Sequence, residues 1–188
     1  MKAENDILKT GLILFMVTGI AALVLGFFNF ITQKPIERQI REANLQAMKE
    51  VMPADTYKEI KAETATGDIV KAVSKAYKNG SEAGFVIRVS PSGYGGSIEM
   101  LVGIDKNGKI TGIKIISHNE TPGLGAKATE PSWQSQFKGK GPDALTVVKH
   151  PPSNDKNEVQ AITGATITSR AVTKGVNEAL REFKQLSK

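Results

Sequence analysis

An uncharged run of about 21 residues, from Gly11 to Ile31, constrains this chain more than any other feature. Leu, Ile, Val, Ala and Phe dominate the run, and as an α-helix it would extend about 30 Å, the thickness of a bilayer's hydrocarbon core. A core helix of a globular domain does not need so long an uninterrupted apolar stretch. The run therefore predicts a single transmembrane helix near the amino terminus.

A cleaved signal peptide is the alternative interpretation of this run. The apolar region of a signal peptide is shorter, about 7–15 residues, and ends at a cleavage site with small residues. The segment that closes the run, Phe27 to Gln33, contains no such site. This absence favours an uncleaved anchor.

The charges that flank the run bear on the orientation of the chain. Basic residues lie on both sides: Lys2 and Lys9 before it, and Lys34, Arg38 and Arg41 after it. By the positive-inside rule this comparison slightly favours a cytoplasmic carboxyl-terminal part. The rule has little force for long domains, which are translocated largely regardless of charge.

The remaining chain predicts one folded domain. Residues 1–33 form the anchor, residues 34–53 continue with helical spacing as a stalk helix, and residues 54–188 form the domain, with enough length for one core. The net charge is +6, but the basic residues are scattered among acidic ones, with few aromatic residues between them. This distribution argues against nucleic-acid binding. Because the chain has no cysteine, disulfides and thiolate-held iron–sulfur clusters are excluded.

Alternating apolar residues predict an antiparallel sheet in this domain. The candidate strands are Gly84–Ser90, Ile98–Ile104, Ile110–Ser117, Leu145–Lys149 and Val159–Ile162. Asp105–Lys109 has the composition of a hairpin turn, and Lys78–Ser81 marks another turn after a mixed segment. From Ser169 onward the apolar residues recur at helical spacing. The pattern predicts an α+β fold, in which helices cover one face of a bent antiparallel sheet.

A run of small and hydroxyl-bearing residues, Thr163 to Thr168, precedes the last helix. Gly164 and Ala165 leave room for a bulky group near the backbone, and the N–H groups of a first helical turn favour an anion such as a phosphate. A purely structural role is the alternative, since Thr166, Thr168 or Ser169 could serve as an N-cap.

This run resembles the flavinylation motif, Ser/Thr-Gly-Ala-Thr followed by Ser or Thr, of the extracytoplasmic FMN-binding domains. The resemblance implies that a flavin transferase attaches FMN through a phosphodiester to Thr166. The family motif usually carries Asp at the position of Gln160. This departure removes a charge that could assist recognition by the transferase, although Asp155 and Glu158 lie nearby.

Two glycine-containing loops also resemble parts of the same family. His118–Gly125 resembles its His-x-Glu-Thr-Pro-Gly-Leu-Gly loop, and Ser92–Gly96 resembles its Gly-Tyr-x-Gly turn. The flavin-binding residues that the resemblance implies are Tyr94, Gly95, Glu120, Thr121, Pro122, Gly123, Leu124, Gly125, Thr163, Gly164, Ala165, Thr166 and Thr168. No catalytic residue of the chain's own and no metal ligand is expected.

Other motifs fit less well. The glycines at 123 and 125 match part of a dinucleotide fingerprint, but Pro131 interrupts the helix that should follow. His118-x-Glu120 matches half of a zinc deaminase signature, but the cysteine ligands are missing. Trp133 fits a core position, with a place beside the flavin as the alternative.

Within this family the chain resembles the G subunits of Rnf complexes, which are related to the C subunit of the Na⁺-translocating NADH:quinone reductase. The resemblance implies an electron-carrying subunit of an ion-translocating ferredoxin:NAD⁺ oxidoreductase, single-pass in the inner membrane, with its domain on the extracytoplasmic side. Its partners would be the membrane, other membrane and redox subunits, and the flavin transferase. The alternative is a membrane-tethered ligand-binding or sensor module without redox turnover, which would not require the complete Thr-Gly-Ala-Thr-x-Thr sequence.

Overall fold

The amino-terminal part of the protein is a long helix. The computed structural model describes residues 2–60, 69–153 and 157–187 and divides the chain into two compact units, Met1–Asn44 and Leu45–Lys188. Helix α1 extends from Lys2 to Val51. Among the described residues it is the one helix long and apolar enough to cross a membrane, and an 18-residue window in it has a mean hydropathy of 2.5 with no residue buried. The predicted apolar helix is therefore present.

A five-stranded sheet forms the centre of the unit Leu45–Lys188. Its strands are β1 (Thr56–Ile60), β2 (Val70–Lys78), β3 (Ser81–Val89), β4 (Glu99–Asp105) and β5 (Ile110–Ser117). They lie in sequence order, and every neighbouring pair is antiparallel. Two tight turns connect β2 to β3 and β4 to β5, as predicted, and positive φ angles of 76° at Gly80 and 77° at Gly108 mark them.

One face of the sheet carries the main core. The short helix α2 (Pro131–Gln134) lies between two single 3₁₀ turns, Gly125–Thr129 and Ser135–Phe137, and helix α3 (Thr166–Leu186) crosses this face. The fully buried residues of the sheet and of α3 include Ile87, Met100, Val102, Val172 and Val176. Each such side chain contributes about 1.5–3 kcal/mol through burial. This packing fixes the start of α3 relative to the sheet.

The opposite face of the sheet receives the end of α1. Val51 and Met52 are buried there with Leu101. The Thr111 hydroxyl donates a hydrogen bond to the Val51 carbonyl oxygen. A Cβ at position 103 would overlap that oxygen, so glycine is needed for this approach. The last turns of the helix predicted as a stalk thus pack against the sheet.

A second, two-stranded sheet differs from the antiparallel topology predicted for all strands. Strands β6 (Thr146–Val148) and β7 (Glu158–Gln160) pair in parallel. Strand β7 begins beside the start of β6, since Glu158 pairs with Thr146, whereas a hairpin turn would pair the start of β7 with the end of β6. Strands β1 and β2 also lie in a segment for which the sequence predicted no strand.

Candidate functional site

Three segments meet at the amino-terminal end of α3 and enclose a cavity of about 580 Å³. They are the turn Ser92–Gly96, the loop His118–Gly125 and the first turn of α3 itself. The lining residues are Tyr94, Glu120, Thr121, Leu124, Gly125, Gly164, Ala165, Thr166, Ile167 and Thr168. The volume lies within the range of small-molecule and cofactor sites.

The backbone at the start of α3 presents unpaired donors to this cavity. Gly164 adopts φ of 78°, which only glycine adopts without strain, and this turn leads into the helix. The first helical hydrogen bond runs from Ser169 N–H to the Ala165 carbonyl at 3.0 Å. The N–H groups of residues 166–168 have no acceptor in the part of the chain that the structure describes. Three such donors at the positive end of a 21-residue helix are chemically suited to an anion.

The hydroxyl groups of this first turn have different environments. The Thr168 side chain is 2% exposed and donates its hydroxyl hydrogen to Glu120 Oε2 at 2.5 Å. The Ser169 hydroxyl donates to the Ala165 carbonyl and accepts from Ile162 N–H. Thr166 is only half-buried, and its hydroxyl has no partner among the described residues. The N-cap is Ala165 and no side chain caps the helix, so the alternative role as an N-cap is wrong.

Glu120 connects the three segments. Its side chain is 6% exposed, and Oε1 accepts from the N–H groups of Tyr94 at 2.9 Å and Gly95 at 3.0 Å. Its other oxygen accepts from Thr168. The loop before it is held by a hydrogen bond from Glu120 N–H to His118 Nδ1. Glu120 therefore lies in the cavity wall with both carboxyl oxygens already engaged.

Apolar side chains surround the mouth of the cavity. Tyr94 is 71% exposed, Leu124 45% and Ile167 57%. They are three of the five exposed large apolar side chains described in Leu45–Lys188. Because each comes from a different segment, they can contact a planar apolar ring from more than one side.

The other predicted flavin-binding residues take several places. Gly95 lies outside the lining but donates to Glu120. Pro122 and Gly123 are exposed and do not line the cavity. Thr163 lines a separate cavity of about 340 Å³.

Ile167 lines the main cavity but is missing from the predicted set. Its sequence signal is an apolar residue outside the buried stripe of an amphipathic helix.

Trp133 belongs to the packing around the second cavity. Its ring lies edge-to-face with Phe137 at 5.3 Å between centroids, and its indole N–H donates to the Gln160 carbonyl at 2.8 Å. Gln160 N–H donates to Gln136 Oε1. These contacts confirm the core position of Trp133. Within the described ranges, no group of three acidic, histidine or cysteine side chains could hold a metal ion.

Comparisons with known proteins agree with this geometry. A family model described as FMN-binding domain matches residues 93–181, which include every lining residue of the main cavity. A second model, described as RnfG N-terminal region, matches residues 1–51.

Two relatives match almost the whole chain. The G subunit of the Na⁺-translocating ferredoxin:NAD⁺ oxidoreductase complex of Acetobacterium woodii is 40% identical over 97% of this chain and 94% of its own. The G subunit of the proton-translocating ferredoxin:NAD⁺ oxidoreductase complex of Clostridium ljungdahlii is 39% identical over 96% of this chain and 94% of its own.

Two solved structures share the fold. NqrC of Shewanella oneidensis has a TM-score of 0.55 and 26% identity, and the match covers 74% of this chain and 73% of that one. The C subunit of the Na⁺-translocating NADH-quinone reductase of Parabacteroides distasonis has a TM-score of 0.59 and 21% identity, over 78% and 83% of the two chains.

Proposed function

Because this chain belongs to the G subunits of Rnf-type ion-translocating oxidoreductase complexes, we propose that it relays electrons within a membrane-bound ferredoxin:NAD⁺ oxidoreductase through FMN attached covalently to Thr166. Near full-length similarity to members of two such complexes supports the place in the complex. The match to the FMN-binding domain supports the cofactor. The other subunits are its redox and membrane partners.

The residues of the main cavity fit FMN chemically. The free N–H groups at the start of α3 suit a phosphate, because they supply hydrogen bonds together with the positive end of the helix dipole. Tyr94, Leu124 and Ile167 suit the apolar faces and edge of the ring system. When bound, the flavin supplies the electron-transfer chemistry. The sequence has no cysteine, so it cannot hold an iron–sulfur cluster through thiolates for this purpose.

The free hydroxyl of Thr166 is the observation that carries the covalent attachment. Of the two threonine hydroxyls in the first turn of α3, the one of Thr168 already donates to Glu120. The hydroxyl of Thr166 lies beside the unpaired N–H groups, where an attached phosphate would be held. In the proposed reaction the Thr166 oxygen attacks the phosphorus of the flavin nucleotide, and one existing phosphorus–oxygen bond breaks. The Thr166 proton and the departing oxygen group leave, so that the product is FMN less one water on Thr166, and a flavin transferase is the proposed catalyst.

The long apolar helix supports a single-pass anchor in the inner membrane. In this proposal residues 1–33 are the anchor, residues 34–53 link it to the domain, and residues 54–188 lie outside the cytoplasm. Covalent attachment suits that location, since a flavin lost there could not readily be replaced. The anchor then ties the flavin-carrying domain to the membrane that holds the other subunits.

Peptide mass mapping tests the attachment directly. After co-expression with a flavin transferase, the peptide that contains Thr166 should carry the mass of FMN less one water. A Thr166→Ala chain should carry no covalent flavin, and Thr129→Ala, which changes an exposed threonine outside the motif, should still carry it. Attachment at Thr163 or Thr168, or a Thr166→Ala chain that stays fluorescent after denaturation, would contradict the proposal.

A further inference from the structure

We infer that Glu120 is a positioning residue whose buried carboxylate holds the flavin site together and keeps the reduction potential of the attached flavin low. This inference rests on the proposed function, because it requires a flavin in the main cavity. It gives a role to the Glu120 side chain, whose carboxyl oxygens form hydrogen bonds to other residues of the protein.

The contacts of Glu120 suit an ionised carboxylate. All three are donations to its oxygens, from two backbone N–H groups and one hydroxyl. An ionised carboxyl group is an acceptor only, and hydrogen bonds of this kind stabilise its charge. Because the donors belong to the Tyr94 turn and to α3, the carboxylate fixes these two segments relative to its own loop.

Two glycines leave the space that this carboxylate occupies. A Cβ at Gly93 would overlap Glu120 Oε1. A Cβ at Gly125 would lie 2.6 Å from Glu120 Oε2 and 2.7 Å from the Thr168 hydroxyl oxygen, far below van der Waals contact. The glycines on both sides of the carboxyl group are thus required by its position.

The charge of Glu120 has no cationic partner. No lysine, arginine or histidine in the described part of the chain forms an ion pair with it. The side chain nevertheless lines the cavity and is 6% exposed, so water screens its charge weakly. A negative charge in the wall of a binding site disfavours the addition of a second negative charge inside it.

Reduction of a flavin adds such a charge. Two electrons and one proton taken up by the oxidised ring leave one net negative charge on it. The Glu120 carboxylate therefore raises the energy of the reduced form relative to the oxidised form. A lower midpoint potential follows, which makes the attached flavin a stronger reductant.

The test is a redox titration of the full-length, flavinylated protein followed by flavin absorbance. Glu120→Gln keeps the shape of the side chain and an acceptor oxygen for the two N–H groups but removes the charge. Its midpoint potential should shift to more positive values. Glu120→Asp keeps the charge, so its midpoint potential should stay closer to the wild-type value than that of Glu120→Gln. Glu130→Gln, which removes an exposed carboxylate beside the second cavity, is the matched control and should leave the potential unchanged.

Each result decides between distinct explanations. A wild-type potential in Glu120→Gln, or equal positive shifts in Glu120→Gln and Glu120→Asp, would overturn the inference by assigning Glu120 a structural role alone. Loss of attachment in Glu120→Gln with Glu120→Asp still loaded would support the first part of the inference, that the carboxylate holds the site together. A potential of Glu120→Asp shifted well above the wild-type value would then overturn the second part. Wild-type protein without flavin on Thr166, seen by mass, would instead reject the proposed function and this inference together.

Discussion

Thr166 and Thr168 are two residues apart but have opposite surroundings. The Thr168 hydroxyl is buried and donates to the Glu120 carboxylate, whereas the Thr166 hydroxyl is half-exposed and has no partner in the described part of the chain. Side chains of one type thus serve different purposes within one helical turn. The Thr168 hydroxyl links α3 to the Glu120 loop, whereas the Thr166 hydroxyl is free to react.

This contrast predicts a difference in stability between two matched variants. Thr168→Val removes a hydrogen bond to a buried charged group and should lower the free energy of unfolding by about 1.5–3 kcal/mol. Thr166→Val removes an unpartnered hydroxyl and should change it by less than about 0.5 kcal/mol. Urea unfolding of both flavin-free chains measures the difference. Equal losses in the two variants would show that the Thr168–Glu120 hydrogen bond does not stabilise the fold.

The sequence predicted which segments form the site, but not what each residue contacts there. The motif at Thr163–Thr168 and the loop that contains Glu120 do meet at one cavity. The sequence could not show that both Glu120 carboxyl oxygens form hydrogen bonds within the protein, because their partners lie 25 to 48 positions away along the chain. Such contacts depend on how the loops pack against α3.

At the scale of elements, alternation was informative where large apolar residues recur at every second position of a strand. Strands β4 and β5 and the turn between them were predicted from such alternation and are present. Strand β2 was not predicted, because small alanines interrupt its pattern and the register shifts twice along its pairing with β3.

Helix α1 leads to a prediction about the side of the membrane on which the domain lies. Because the natural chain has no cysteine, Ser81→Cys introduces a unique thiol at an exposed position after the β2–β3 turn. A membrane-impermeant thiol reagent should label it in cells stripped of outer barriers. A cysteine at Lys2 is the control and should be labelled only after lysis. Labelling of Ser81→Cys only after lysis would place the domain in the cytoplasm.

At the scale of the whole molecule, the apolar helix and the cavity of FMN size both suit the proposed electron carrier that is held at a membrane. The chain has no cysteine for a second, thiolate-held redox centre, and in the proposed relay other proteins of the complex supply and receive the electrons. Replacing Thr166 by Ala should leave folding and assembly intact, since the hydroxyl has no partner among the described residues, but should remove the relay.

Ferredoxin-dependent NAD⁺ reduction by the assembled complex tests the proposed electron relay through the flavin on Thr166. The measurement uses membrane vesicles that contain either the wild-type or the Thr166→Ala complex, with the amounts of all subunits and of covalent flavin determined in both. We predict normal assembly, no flavin on the Thr166→Ala chain, and loss of both NAD⁺ reduction and coupled ion uptake. Wild-type rates in a complex shown to lack this flavin would contradict the relay.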